Sequence, residues 1–384
     1  MSKQAYKFRL YPTRKQAQAL TWTLERCREL YNAALQERRD AYRMAGKSIT
    51  YYDQANQLPD IKEIREEYRE IHSQVLQDVL RKADKAFKAF FARCKRGKTP
   101  GYPRYKGRGH YESFTYPQVG FSFTHDNRVC LSKIGSIKVK LHRSLEGKIK
   151  TCTIKREGEH WFVVFSCEVE TAPLPACDEA VGIDLGLLHF ATLSDGSTRE
   201  NPRYYRKTEK RLQKHQQSFS RKKRGSHRRR KAVKLVASAH RKVRNQRQDF
   251  LHKESRKLVN TYGIIVFEEL TPSNMSKRPK PKQDETGKYL PNGAAAKAGL
   301  NKSIVDAGWG QFQQYCVYKA ANAGRQVLFV NPKYTSQVCS GCGTVKKKTL
   351  EERWHSCECG TELDRDHNAA LNILRLGRSR QASA

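Results

Sequence analysis

The sequence has no run of roughly 18 or more apolar residues, so a membrane-spanning helix is not expected. Its basic stretches also lack an apolar face for lipid, which leaves a membrane surface a poor partner. No apolar segment with a small-residue cleavage site follows the start MSKQAYKFRLYP, and the expectation is a protein kept in the cytoplasm. A disulfide framework is missing too: of 11 cysteines, seven are scattered and only four cluster. Acidic residues are scarce. Asp plus Glu number 38 against 75 Lys plus Arg, a formal net charge of +37. Self-repulsion on that scale is normally neutralised by a polyanion, and nucleic acid is the first candidate.

The 384 residues leave room for two or three domains, and no internal repeat is visible. Residues 5–10 alternate as a short strand, and Thr13 with Gln16 is a capping-box start for a helix reaching about Met44. Helical spacing continues over 52–58, 61–71 and 75–91, a helical bundle inserted just after a strand. A Gly-, Pro- and Lys-rich junction, CKRGKTPGYPRYK, ends it. Five short strands follow, over 114–123, 129–131, 137–141, 148–155 and 161–169, and a β-barrel or sheet closed by the amino-terminal strand is the economical arrangement.

After a linker at 173–177 the pattern becomes mixed α/β. Strands are expected at 181–184, 188–193, 263–268 and 326–330, long basic helices broken near Gly225 over 204–260, a helix at 304–323, and a polar loop between 273 and 300.

Three acids stand in distinct settings: Asp184 in VGIDLG, Glu268 at the end of GIIVFEEL, and Asp366 in DRDHNAALNIL. Each alone has an ordinary explanation: a turn acid, a solvated strand end beside Glu269, a helix N-cap. Two strand ends followed by a helix start, in that order, match the carboxylate set of a RuvC-type, RNase H-like nuclease. Phosphodiester cleavage with two divalent cations needs hard oxygen ligands converging from separate parts of a chain.

Cys339 and Cys342 form a CxxCG knuckle, and Cys357 and Cys359 a second pair suited to one structural tetrahedral Zn²⁺. The second pair is CxC, which shortens its bite and leaves His355 as a reserve ligand. Arg221, Lys222, Lys223, Arg224, Arg228, Arg229, Arg230 and Lys231 make a basic run expected to follow nucleic-acid phosphates.

Taken together, AYKFRLYPT, RYKGRG, GIDLG, VFEEL, DAGWGQF, NPKYTSQVCSGCG and DRDHNAALNIL resemble TnpB, the transposon-encoded OrfB family related to type V CRISPR effectors. The resemblance spans nearly the whole chain. It implies a multidomain α+β protein of a prokaryotic cytoplasm, at the nucleoid when acting on DNA. A β-barrel wedge domain (1–10 and 112–172) would carry an inserted helical recognition domain (11–111). An RNase H-like RuvC α/β nuclease domain (178–332 and 362–384) would carry a zinc-binding insert (333–361).

The implied activity is RNA-guided cleavage of double-stranded DNA beside a short motif, with a guide RNA from the transposon end as partner. Asp184, Glu268 and Asp366 would hold two Mg²⁺, with Asp364 only supporting. Sequence readout would pass to guide pairing. Tyr51, Gln77, Thr115 and Tyr116 are the expected readers of the adjacent motif. The alternatives are a catalytically silent RNA-guided repressor, against which all three acids are present, and a transposase accessory protein. The sequence has no His-x-His pair for a tyrosine transposase of the HUH kind.

Overall fold

The Thr13 hydroxyl accepts from the Gln16 backbone N–H while the Gln16 side chain accepts from the Thr13 N–H, the expected capping box. It starts helix α1 (Arg14–Ala45) two residues beyond strand β1 (Ser2–Tyr11). The structure, a computed structural model, describes residues 2–349 and 351–382, and the chain divides into two compact units, Met1–Glu170 and Thr171–Ala384.

In the first unit α1 is followed by α2 (Tyr51–Asn56), α3 (Leu58–Ile64), a 3₁₀ turn (Glu66–Glu70) and α4 (Ser73–Lys95). Leu20, Leu24, Cys27, Leu30 and Leu35 on α1 are buried, as are Val75, Leu76, Val79, Leu80, Ala83 and Phe87 on α4. These two stripes at helical spacing share one core. The remaining strands are β2 (Ser113–Tyr116), β3 (Phe121–Thr124), β4 (Arg128–Leu131), β5 (Gly135–Lys140), β6 (Lys148–Glu157) and β7 (His160–Val169). They form one antiparallel sheet in the order β2-β6-β7-β1-β5-β4-β3. The amino-terminal strand thus lies in its middle, paired with β7 from Ser2 to Leu10 and with β5 at its far end. The single strand expected over 114–123 is two, β2 and β3. Pro117, which has no N–H to give a ladder, and Gly120 at φ +88° lie between them.

The second unit runs β8 (Ala180–Asp184), β9 (His189–Leu193), β10 (Thr198–Glu200), α5 (Tyr204–Ser220), α6 (His227–Thr261) and β11 (Ile264–Glu268). Next come α7 (Pro272–Met275), a small hairpin of β12 (Lys282–Gln283) and β13 (Tyr289–Leu290), α8 (Ala294–Ala307), α9 (Trp309–Ala323) and β14 (Gln326–Val330). The chain ends with β15 (Trp354–Ser356), β16 (Glu362–Asp364) and α10 (Arg365–Ala382). The sheet order is β10-β9-β8-β11-β14. β11 is parallel to both β8 and β14, and β9 is antiparallel to β8.

Both faces of this sheet are covered. Ile265 and Phe267 of β11 pack with Phe312 of α9, while Val266, between them, packs with Ile373 of α10. Helix α10 sits so close to β8 that a Cβ on Gly182 would lie 2.2 Å from the Ala370 carbonyl oxygen. A central strand buried on both sides reads as a continuous apolar run, which is why VGI and IIVF lack alternation.

Two expectations change here. The helix expected over 304–323 is two helices, α8 and α9, joined at Gly308 with φ +72°. The expected polar loop ends early: three alanines, strong helix formers, open α8 directly after Gly293.

Candidate active site

Register places the first two acids side by side. Ile183 pairs with Phe267 across the parallel strands β8 and β11, so Asp184 and Glu268, each last in its strand, leave the same carboxyl edge. Strand order runs outward from β8 through β9 and β10 on one side and from β11 to β14 on the other. It therefore reverses between β8 and β11, the kind of switch point at which open α/β sheets hold ligands. Asp366 comes from the first turn of α10, and a Cβ on Gly186 would lie 3.9 Å from its Oδ2. The third carboxylate therefore reaches the turn that follows Asp184.

Burial pushes the Asp184 carboxyl well above the usual carboxylate range, and the charges of Glu268 and Asp366 push it the same way. Burial also raises Glu268, opposed by a hydrogen bond from the Thr335 hydroxyl to its Oε1. The nearest cations to Asp366 are only loosely placed, Arg365 Nε at 3.6 Å and Arg353 Nη1 at 4.0 Å. Converging, partly desolvated carboxylates with little compensating charge fit hard divalent cations, whose ligands are oxygens. Ligands spread over two ions about 3.5–4 Å apart need not all crowd one point.

Asp364 has other work. Its Oδ1 accepts from the backbone N–H groups of Asp366 (2.8 Å) and His367 (3.2 Å), so it caps α10. The ordinary N-cap explanation for Asp366 thus belongs to Asp364.

The four cysteines of the two knuckles lie with all ligand atoms within 4.8 Å of one another, the one such set of three or more His, Cys, Asp or Glu among the described residues. Cys339 Sγ is 3.6 Å from Cys359 Sγ, and Cys342 Sγ is 3.6 Å from Cys357 Sγ. Four thiolates at about 2.3 Å from a tetrahedral ion stand roughly 3.8 Å apart, so the four-cysteine set, both sulfurs of the CxC pair included, could hold Zn²⁺. Desolvation pushes the Cys339 thiol up, but the Cys342 backbone N–H and the His355 side chain outweigh it and bring it to about 5, favouring thiolate. His355 itself is fully buried and turns Nδ1 toward Lys348 Nζ.

The knuckle is tied to the helix that carries Asp366. Asn368 Nδ2 donates to Val338 O and its Oδ1 accepts from Ser340 N, while Asn372 Nδ2 donates to Thr335 O and Val338 O. Gln313 Nε2 donates to the Glu268 carbonyl. Sequence reasoning does not single out Thr335, Gln313, Asn368 or Asn372. The signal that could have found two of them is a pair of asparagines at i and i+4 on an otherwise apolar stripe, both fully or nearly fully buried.

The basic run lies at the turn between α5 and α6, with Arg221, Lys223, Arg224, Arg228, Arg230 and Lys231 exposed and Lys222 half-buried. Arg229 is different. Its Nη1 donates to the Phe219 and Lys222 carbonyls and its guanidinium lies 3.9 Å over the Phe219 ring, so it holds the turn together.

Of the expected motif readers, Tyr116 is corrected. It is 1% exposed and its hydroxyl donates to Ser132 O, which makes it a core residue of the sheet. Thr115 is half-buried between Thr153 and Lys82, Tyr51 packs under the Arg81 guanidinium at 5.2 Å, and Gln77 is half-buried on α4.

Comparison with known proteins gives three family matches: "Probable transposase" over residues 164–278, "Cas12f1-like, TNB domain" over 309–373 and "Helix-turn-helix domain" over 1–47. The chain is 36% identical to a protein of Streptomyces pristinaespiralis named "Putative RNA-guided DNA endonuclease", covering 98% of this chain and 89% of that one. It is 33% identical to "Putative RNA-guided DNA endonuclease InsQ" of Escherichia coli (strain K12), covering 97% and 92%. Among solved structures, "CasPhi-2 (Cas12j) bound to crRNA" matches with 98% of each chain covered at 9% identity and a TM-score of 0.49.

Proposed function

The chain belongs to the TnpB-type family of RNA-guided DNA endonucleases, and from that premise we propose that it cuts double-stranded DNA beside a short adjacent motif by metal-assisted hydrolysis at one site. One observation carries this: Asp184, Glu268 and Asp366 come together from two adjacent strand ends and a helix start. The sheet order, with one antiparallel strand beside β8, agrees with an RNase H-like nuclease core.

In this reading Asp184, buried among negative charges, and Glu268 and Asp366 are the residues that would hold two Mg²⁺. When bound, such ions would supply activation of an attacking water and charge stabilisation at the leaving 3′ oxygen. Thr335 fixes one oxygen of Glu268 and so aims the other. The cap by Asp364 orients the first turn of α10 and with it Asp366. The sequence carries no second nuclease motif, so in this reading both DNA strands use this site in turn.

A guide RNA from the transposon end supplies sequence recognition. The exposed cations of the α5–α6 turn contact phosphates, and Tyr51, Gln77 and Thr115 remain the residues for motif contact. Residues 1–10 with 112–172 form the wedge, 11–111 the recognition bundle, 178–332 with 362–384 the nuclease core, and 333–361 the zinc insert.

The test is to purify the chain, sequence the RNA that accompanies it, and challenge the complex with a plasmid library randomised beside a matched target. Mg²⁺-dependent cutting that Asp184→Ala abolishes supports the reading. Binding of the target without cutting under all metal conditions would make the protein an RNA-guided repressor instead.

A further inference from the structure

At the far end of the α1–α4 pair, a cavity of about 400 Å³ opens among Arg38, Tyr42, Phe87, Phe90, Phe91 and Tyr102. The rings touch edge to face: Phe87 to Tyr102 at 5.4 Å and Phe90 to Tyr102 at 5.3 Å, with Phe91 alongside Phe87 at 6.4 Å. Yet they are not sealed. Tyr42 is 67% exposed, Phe91 54% and Tyr102 44%. Several open aromatics in one place are costly to leave in water unless they have an occupant.

Two further observations say what kind. First, Arg38 is buried to 7% exposure; its Nε donates to Gln54 Oε1 and its Nη1 to Asp84 Oδ1, but its Nη2 is buried with no partner. A buried guanidinium N–H without an acceptor is expensive, and a ligand presenting an acceptor in the cavity would satisfy it once Arg38, which lines the cavity, turns Nη2 outward. Second, the stretch from 85 to 108 that forms the α4 side of the cavity carries nine Lys or Arg and no Asp or Glu. An apolar ring surface, a free donor and a surrounding excess of cations match the three parts of a nucleotide: a stacking face, an acceptor edge and phosphates.

Resting on the RNA-guided reading above, we propose that this cavity receives one unpaired nucleobase of the guide RNA, stacked on Phe91 and Tyr102 with an acceptor on its edge facing Arg38. RNA is favoured over DNA because folded RNA presents bulged and looped bases for such pockets, whereas a DNA duplex keeps its bases stacked. The pocket anchors the guide. It plays no part in cleavage chemistry.

The test uses the RNA recovered with the purified full-length chain, transcribed again with 5-iodouridine, and a single-stranded DNA of the same sequence. Irradiation should crosslink the RNA to peptides containing Phe91 or Tyr102. Phe91→Ala should weaken RNA binding by about 5- to 150-fold, the range for removing one base stack, with the salt dependence unchanged because every phosphate keeps its cation. Phe91→Tyr, which keeps a ring, should restore it. Phe91 is exposed, and an unchanged thermal unfolding curve would exclude a folding defect. Unchanged RNA affinity in both Phe91→Ala and Tyr102→Ala, or a loss confined to the DNA probe, would overturn the proposal while leaving RNA-guided cutting intact. Recovery of no RNA would overturn the functional reading and this one with it.

Discussion

The Thr335 hydroxyl donates to Glu268 Oε1, and the carbonyl of the same Thr335 accepts from Asn372 of α10. One residue therefore joins the second acid of the site to the helix that presents the third. It also stands at the entrance to the cysteine knuckle, so the four cysteines and the carboxylates share a mounting.

Replacing Thr335 with Val keeps the shape and removes the donor. A hydrogen bond from a neutral to a charged group is worth roughly 1.5–3 kcal/mol, and cleavage should slow by about 10- to 150-fold. Burial already raises Glu268 and the hydroxyl opposes it. Losing the donor favours the protonated acid, so the acid limb of the pH–rate profile should move to higher pH. A slower enzyme with an unmoved limb would mean that Thr335 acts only through the backbone.

Asp364 and Asp366 separate cleanly. Asp364→Asn retains a good cap and should cut normally, whereas Asp364→Ala should lower stability by about 0.5–2 kcal/mol with partial activity. Asp366→Ala should cut nothing and unfold at or above the wild-type temperature, since a negative charge that opposes the buried Asp184 carboxylate is gone. Paired cleavage and thermal denaturation measure both. An inactive Asp364→Asn beside an active Asp366→Ala would exchange the two roles.

How far the site is legible in the sequence depends on separation along the chain. Asp184, Glu268 and Asp366 each announce themselves within a few neighbours, because a buried strand or a helix start is a local pattern. Thr335 meets Glu268 across 67 positions, and Asn372 meets Thr335 across 37, so nothing local marks them. The same limit explains Tyr116: alternation along β2 puts one of Thr115 and Tyr116 toward the core, but which face is buried depends on helices packed from elsewhere. The α8–α9 break escapes the pattern because apolar residues at helical spacing, Ile304, Ala307, Trp309 and Phe312, continue across Gly308, and only its positive φ ends one helix and begins the next.

Zinc should be stoichiometric and bound through sulfur alone. X-ray absorption should show nearest-neighbour distances of about 2.3 Å, and His355→Gln should retain the metal. Stripping the metal should free residues 335–340 from Asn368 and Asn372, so DNA cleavage should fall while RNA affinity holds. A chelated protein that still cuts at the full rate would show that the knuckle and the acids are independent.

The basic turn contains two kinds of arginine, and they should fail differently. Arg228 and Arg230 are exposed, so Arg228→Ala with Arg230→Ala should weaken nucleic-acid binding and flatten its salt dependence by roughly 0.7–0.9 in log–log slope for each phosphate no longer neutralised. Arg229 instead closes the end of α5 through two carbonyls and the Phe219 ring. Arg229→Ala should lower the melting temperature and quicken amide exchange at the turn while leaving the salt slope nearly intact. Binding titrations at several salt concentrations, run beside hydrogen exchange, distinguish the two. A flattened slope in Arg229→Ala with a normal melting temperature would place Arg229 on the phosphates after all.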